Sequence, residues 1–187
     1  MLVLSSSNRQ TLLHLAFESI RLHFDGSRPE PLKTSDPELL QTCGCFVTLR
    51  KEKALRGCIG TFDTKGPLIE KIPRLACEAA FQDSRFEPLA RPELRELRLE
   101  ISILSAMREV TSLEEVEIGR HGVHVSLEGK SGTLLPDVAL EHGMSREQFV
   151  LCCAQEKARL KPEEIARARL AVYEVMKFSG TYDDQKG

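Results

Sequence analysis

The chain has 187 residues, enough for one domain or two small lobes, and 26 basic against 28 acidic side chains leave a formal charge of −2. That balance gives no electrostatic case for a dedicated nucleic-acid or anionic-membrane binder, and 41% hydrophobic with 29% charged residues excludes an intrinsically disordered chain. No apolar run approaches the ~20 residues of a membrane span. The opening MLVLSSSNRQ lacks the basic region and the apolar length of a secretory signal. The expected location is therefore the cytoplasm, with reduced thiols at Cys43, Cys45, Cys58, Cys77, Cys152 and Cys153.

The first element is an amphipathic helix from about Arg9 to Phe24. Leu13, Phe17, Ile20 and Phe24 fall on one stripe, with Ser7 or Asn8 as N-cap. Pro29, Pro31 and Pro37 mark Gly26 to Pro37 as an exposed connection. Two strands, Phe46–Arg50 and Leu55–Phe62, form a hairpin across the polar turn at Lys51, Glu52 and Lys53. Pro67–Phe81 has helical spacing, but Pro73 inside it predicts a kink or two short helices in tandem. Alternation gives a strand over Arg98–Met107 and another around Val123, Val125 and Leu127. Pro136–His142 and Arg146–Lys157 read as helices split by Gly143. Pro162 opens a short helix, Leu170–Phe178 is a closing strand, and a polar tail from Gly180 is expected to fray. Strands come in clusters and do not alternate with helices, so the expected class is α+β, with a mixed, largely antiparallel sheet flanked by helices. No glycine-rich nucleotide loop occurs, so neither an ATPase nor a dehydrogenase is indicated.

The segment Leu55-Arg56-Gly57-Cys58-Ile59-Gly60-Thr61 carries the main chemical signal. On a strand, Leu55, Gly57 and Ile59 face the core while Arg56, Cys58 and Gly60 face away from it. A guanidinium beside a thiol favours the nucleophilic thiolate, and Gly57 and Gly60 allow close approach of a ligand or another backbone. The same residues also suit a structural reading. Cysteine is a common small core residue, Arg56 can pair with a structural carboxylate, and glycines can mark a bulge. Asp83 and Arg85 can line one cleft with Arg56, or Asp83 can close a local turn. Among five histidines none has metal-ligand spacing, and His121, at a strand entrance, is the best candidate base. Cys43-Gly44-Cys45 is one C-x-C without a second pair, so no metal site and no cofactor are expected.

Five segments occur together in order: FVTLRKEKALRGCIGTF (46–62), AAFQDSRFEPL (79–89), LEISILS (99–105), IGRHGVHV (118–125) and LLPDVALEHG (134–143). The chain resembles AmmeMemoRadiSam system protein A, the AMMECR-type domain family, over roughly Thr11 to Phe178. The resemblance implies one AMMECR-type domain over residues 1–187, built as two packed lobes with the motif strands near a cleft. It implies hallmark residues Arg56, Gly57, Cys58 and Gly60, then Asp83, Arg85 and Phe86, His121 and Gly122, and Leu135 and Pro136. Cys58 and His121 are thus the expected catalytic residues; Arg56, Gly57, Gly60, Asp83 and Arg85 are expected to bind substrate. This sequence departs from the family at Ser84, where proline is usual, Asp137 for glutamine, Met144 for tryptophan and Arg159 for glycine. The implied function is that of an enzyme, or accessory to one, working alongside a Memo-type protein and a radical S-adenosylmethionine enzyme. The alternatives are a non-catalytic partner protein that uses the same cleft for recognition, and a nucleic-acid-binding module, which the charge does little to support.

Overall fold

The computed structural model describes residues 4–185, which form two compact units: residues up to Leu104 together with those from Met176, and Ser105–Val175. No described helix is long and apolar enough to cross a membrane. The architecture is α+β with largely antiparallel strands, as the clustering of strand signals predicts.

In the first unit, helix α1 (Ser6–His23) begins earlier than its sequence pattern suggests, with Ser5 as N-cap accepting from the Asn8 amide at 3.2 Å. Asn8 does not cap because its side chain has other work: Nδ2 donates to Asp36 at 2.9 Å and Glu38 at 2.7 Å, anchoring the proline-rich connection. Strands β1 (Cys45–Lys51) and β2 (Ala54–Thr61) form the expected hairpin, and β3 (Leu97–Leu104) pairs antiparallel with the other side of β1. Val47, Leu49, Leu99, Ile101 and Ile103 point inward and are fully buried among the helices of this unit. Helix α2 (Leu68–Phe81) runs as a single helix through Pro73 and not as two short ones. Interior proline costs about 3 kcal/mol. Burial of Leu68, Ile69, Ile72 and Leu75 on both sides of it, at ~1.5–3 kcal/mol each, outweighs that cost.

The buried side of α2 also holds a lysine. Lys71 is 4% exposed, and its Nζ donates to the Cys43 carbonyl at 2.5 Å and the Asp63 carbonyl at 3.0 Å. These carbonyls lie just before β1 and just after β2, so one ammonium ties both open ends of the hairpin to the helix. Strand β4 (Arg108–Val110), strand β5 (His121–Leu127), strand β6 (Lys130–Leu134) and the first part of β7 (Arg169–Thr181) belong to the second unit, where β7 lies between β4 and β5. The last part of β7 returns to the first unit. There the tail expected to fray from Gly180 is held: Thr181 donates through N and Oγ1 to Asp184 at 2.7 Å each, and Tyr182 packs edge-on against Phe17. The final two positions of that tail lie outside the described residues.

Strand β6 was not legible as a strand because KSGTL lacks alternation. Its turn, Glu128-Gly129, has positive φ at both residues (48° and 85°), which is the two-residue hairpin geometry. Helices α3 (Pro136–Glu141) and α4 (Arg146–Cys152) follow, the latter capped by Ser145 and continuing as a π-helical turn over Cys153–Lys157. That turn lies against β6, where a Cβ on Gly132 would sit 2.2 Å from the Ala158 nitrogen. It ends with Arg159 at φ 55° and the Leu160 amide donating to the Ala154 carbonyl at 3.0 Å, a helix stop that favours glycine. The short helix α5 (Pro162–Ile165) then leads into β7.

Two stability outcomes follow. Lys71→Met leaves two carbonyls without their donor and should lower unfolding free energy by about 2–3 kcal/mol in urea titration. Arg159→Gly relieves the left-handed conformation and should raise it by roughly 0.5–1 kcal/mol; an unchanged or lower stability would refute the strain at that position.

Candidate functional site

From Gly57 to Thr61 β2 carries its side chains as alternation requires, but a bulge at Arg56, between the Leu49–Gly57 and Arg50–Leu55 pairs, interrupts the pattern, so Leu55 does not share the core side expected for it with Gly57 and Ile59. Gly57 faces α2, where an added Cβ would lie 2.1 Å from the Ala79 carbonyl oxygen. Gly60 lies under Phe46 of β1, whose ring would be 2.0 Å from a Cβ there, and Phe46 in turn meets Phe62 edge-on at 5.1 Å. The close approach that both glycines permit is thus made by the protein itself.

Arg56, the unpaired residue of that bulge, is directed to Glu93 and not to Cys58. Its Nε and Nη2 each bond Glu93 at 3.0 Å, and Nη1 donates to the Glu87 carbonyl at 2.9 Å. Glu93 belongs to a 3-10 turn, Arg91–Glu96, and the pair is only 16% and 20% exposed. The guanidinium beside Glu93 lowers its carboxyl pKa. This is the bidentate pairing with a structural carboxylate that the sequence left open.

The cation at Cys58 is Arg85. Immediately after α2 the chain turns, with the Phe86 amide bonded to the Asp83 carbonyl, and brings the Asp83 carboxylate to the open side of β2. Asp83 Oδ2 accepts from the Cys58 amide at 2.9 Å, and Arg85 Nη2 donates to the Cys58 carbonyl at 3.1 Å. Arg85 is held in turn by Asp83, Nη2 at 2.7 Å from Oδ2 and Nε at 2.9 Å from Oδ1. Asp83 is 6% exposed, and hydrogen bonding to Arg85 first, then to the Cys58 and Arg85 amides, holds its carboxyl well below the usual carboxylate range against the opposing effect of burial. The Arg85 pKa is raised, chiefly by its hydrogen bond to Asp83 and in smaller part by the Cys58 side chain. On the strand side, Cys58 Sγ lies 3.3 Å from the hydroxyl of Thr48, its cross-strand partner. Cys58 itself is partly exposed.

Arg56, Gly57, Cys58, Gly60, Asp83 and Arg85 therefore gather in the first unit. His121 belongs to the second, at the start of β5, where it is buried and its Nδ1 accepts from the Glu117 amide at 3.1 Å. Its proton then resides on Nε2. Another histidine of that unit, His124, has a buried Nδ1 without a partner among the described residues, and burial lowers its pKa. The sequence singled out Arg56 as the cation for the thiol. Arg85, 27 residues away, was visible only as a possible cleft residue, because nothing local says that a turn will fold it back onto β2.

An α+β chain with a partly exposed thiol on a strand edge, bracketed by an Asp–Arg pair, is the class of protein these features define. The AMMECR1 family pattern matches residues 13–178, and the chain belongs to that family. It is 35% identical over 161 residues to a protein of Methanopyrus kandleri, covering 81% of this chain and 77% of that one. It is 36% identical over 167 residues to one of Methanothermobacter thermautotrophicus, covering 86% of each. The crystal structure of the uncharacterized protein PH0010 from Pyrococcus horikoshii is similar with a TM-score of 0.79 at 30% identity, covering 91% of this chain and 90% of that one.

The Asp83 bracket has a pH signature. A carboxyl depressed by folding stabilises the fold above its unfolded value and loses that contribution as pH falls through the folded value. The stability advantage of the wild type over Asp83→Asn should be constant from pH 7 to 5. It should begin to shrink only below about pH 3.9, the unfolded aspartate value. A difference that is flat down to pH 2 in denaturant titrations would show that the charge on Asp83 contributes nothing.

Proposed function

We propose that Cys58 is the functional thiol of this AMMECR1-family protein, a nucleophile or redox centre on the outer face of β2. The observation that carries this reading is the Asp83–Arg85 bracket at the Cys58 backbone, with the Arg85 guanidinium close enough to interact with the Cys58 side chain. A fixed cation beside a partly exposed thiol favours the thiolate, and Arg85 is kept in place by Asp83 rather than by the substrate. Thr48 Oγ1 supplies a hydrogen bond that either donates to the thiolate or accepts from the thiol. Arg56, committed to Glu93, positions the 3-10 turn; substrate contact is left to Arg85, whose side chain is 56% exposed and carries nitrogens toward solvent. An anionic or carbonyl-bearing group docking against Arg85 would lie beside Sγ. In this reading the protein is an enzyme, or an accessory to one, acting in the reducing cytoplasm alongside a Memo-type protein and a radical S-adenosylmethionine enzyme, as the family resemblance implies.

The other thiols provide the internal reference. Burial pushes Cys45 up to about 11 and Cys153 up to about 12, and raises Cys43 and Cys77 as well. Alkylation of the native protein at pH 7 with peptide mapping of all six sites should therefore label Cys58 ahead of these four, and ahead of the partly exposed Cys152 if Arg85 activates the Cys58 thiol. Arg85→Met removes the cation beside the thiol and should slow that labelling. If Cys58 labels no faster than the other accessible thiols, the nucleophile reading fails. The same surface then acts as a recognition site for a partner protein.

A further inference from the structure

A concavity of the first unit shares no residue with the Cys58 site. It lies between α1, α2 and the proline-rich connection and has a volume of about 450 Å³, within the ~300–1,000 Å³ typical of small-molecule sites. Helix spacing places its walls. Ser19 and His23 are one turn apart on α1, and Arg74 and Glu78 one turn apart on α2, so each pair shares a face, while Arg28 reaches in from the connection. The floor is fixed. Ser19, 2% exposed, donates to the Pro73 carbonyl at 2.9 Å and also bonds the Cys77 side chain, which joins the two helices beneath the cavity. The His23 ring stacks on Phe81 with centroids 4.0 Å apart, which holds the imidazole at the rim.

The charges around the cavity do not cancel. Arg74 donates to Glu78 at 2.7 Å, so these two neutralise each other, and Glu78 steadies the guanidinium. Arg28 enters no hydrogen bond or ion pair among the described residues, so its charge is the uncompensated one. That charge is felt at the floor: burial raises the Cys77 thiol pKa, and the Ser19 hydrogen bond and the Arg28 charge oppose the rise. Burial keeps Cys77 in its thiol form, which makes this a place for binding and not for covalent chemistry. Along α2 the sign of the charge reverses. Beyond Pro29 and Pro73, which border both hollows, a smaller one of about 240 Å³ carries Glu30 and Glu70 beside Leu15 and Leu32. An anion is repelled from that end and drawn to Arg28.

We infer that the cavity between α1, α2 and the connection binds a small organic anion. The carboxylate or phosphate group of the ligand pairs with the Arg28 guanidinium, whose fork matches either oxyanion. The Arg74 N–H groups not bonded to Glu78 and the His23 imidazole supply further donors, and the body of the ligand covers Cys77 and Pro73. This site stands apart from any chemistry at Cys58.

The test is an amide chemical-shift titration of the isotopically labelled full chain at constant ionic strength, with benzoate, phenyl phosphate and neutral benzamide as probes. Benzoate, phenyl phosphate or both should shift the amides of His23, Arg28, Arg74 and Cys77 saturably, and the tighter of the two identifies the head group. Benzamide, with the same ring and no charge, should not. Arg28→Ala, a change at an exposed residue, should weaken the binding roughly fivefold, the scale of one partly exposed ion pair. The bound anion should also slow alkylation of Cys77 and leave that of Cys152, in the second unit, unchanged. The inference is overturned if neither anion gives saturable shifts at these residues, if benzamide binds as well as the anions, if Arg28→Ala binds as tightly as the wild type, or if Cys77 alkylation is unaffected. Shifts that gather at Cys58 and Arg85 instead would also overturn it, because the anion would then sit at the thiol site.

Discussion

The hydrogen bond from the Cys58 amide to the buried carboxylate of Asp83 is the contact from which the rest of the site takes its geometry. An edge strand exposes amides and carbonyls that another strand would ordinarily take. Here one carboxylate accepts the amide, and the arginine it holds donates to the carbonyl, so two side chains stand in for a strand. The carboxylate must be charged to hold Arg85 in this way, and the bonds that depress its pKa are the same ones that fix the cation at the thiol. Stability and chemistry therefore draw on one set of contacts. The position of Arg85 does not wait for a ligand.

The remaining anchors of the first unit work by similar means. Lys71 gathers the carbonyls at the two ends of the β1–β2 hairpin, and Arg56 gathers the 3-10 turn and the segment before it. Three cations on three elements thus each bind main-chain oxygens near β2. A strand that carries two glycines has few side-chain contacts of its own with which to be held. The aromatic ring over Gly60 and the helix backbone over Gly57 complete the packing. The strand bearing the thiol is fixed from both faces and from its edge.

Much of this was legible in the chain itself. The hairpin, the α1 stripe, β3, β5 and the closing strand follow from period, since one face of each is buried. The family resemblance named Asp83 and Arg85 beside Cys58. What the residues alone could not give was which arginine serves which acid. Alternation put Arg56 on the side of Cys58, but a guanidinium on a long side chain follows the nearest carboxylate, and Glu93 is 37 positions downstream. The α1 cap was displaced for a related reason: Asn8 has long-range partners, Asp36 and Glu38. Strand β6 shows no alternation because it is polar, and of the two outcomes Pro73 allows, the pair of tandem helices does not form because burial along α2 outweighs one lost hydrogen bond. The resemblance implied glycine at the position of Arg159, and the left-handed backbone there, φ 55°, is a conformation that favours glycine.

Closing a strand edge with side chains has a consequence for how this protein avoids other copies of itself. A free edge is a template for any extended segment, and it recruits identical chains at high concentration. The Asp83–Arg85 clip occupies the two backbone groups of Cys58 without adding a strand that would present a new edge of its own. Its donors and acceptors are charged, so a neutral peptide segment would have to displace an ion pair to enter. The residues that bond the Cys58 backbone thus also cap β2 as a terminus of the sheet, so that this edge offers an extended segment two fewer free backbone groups.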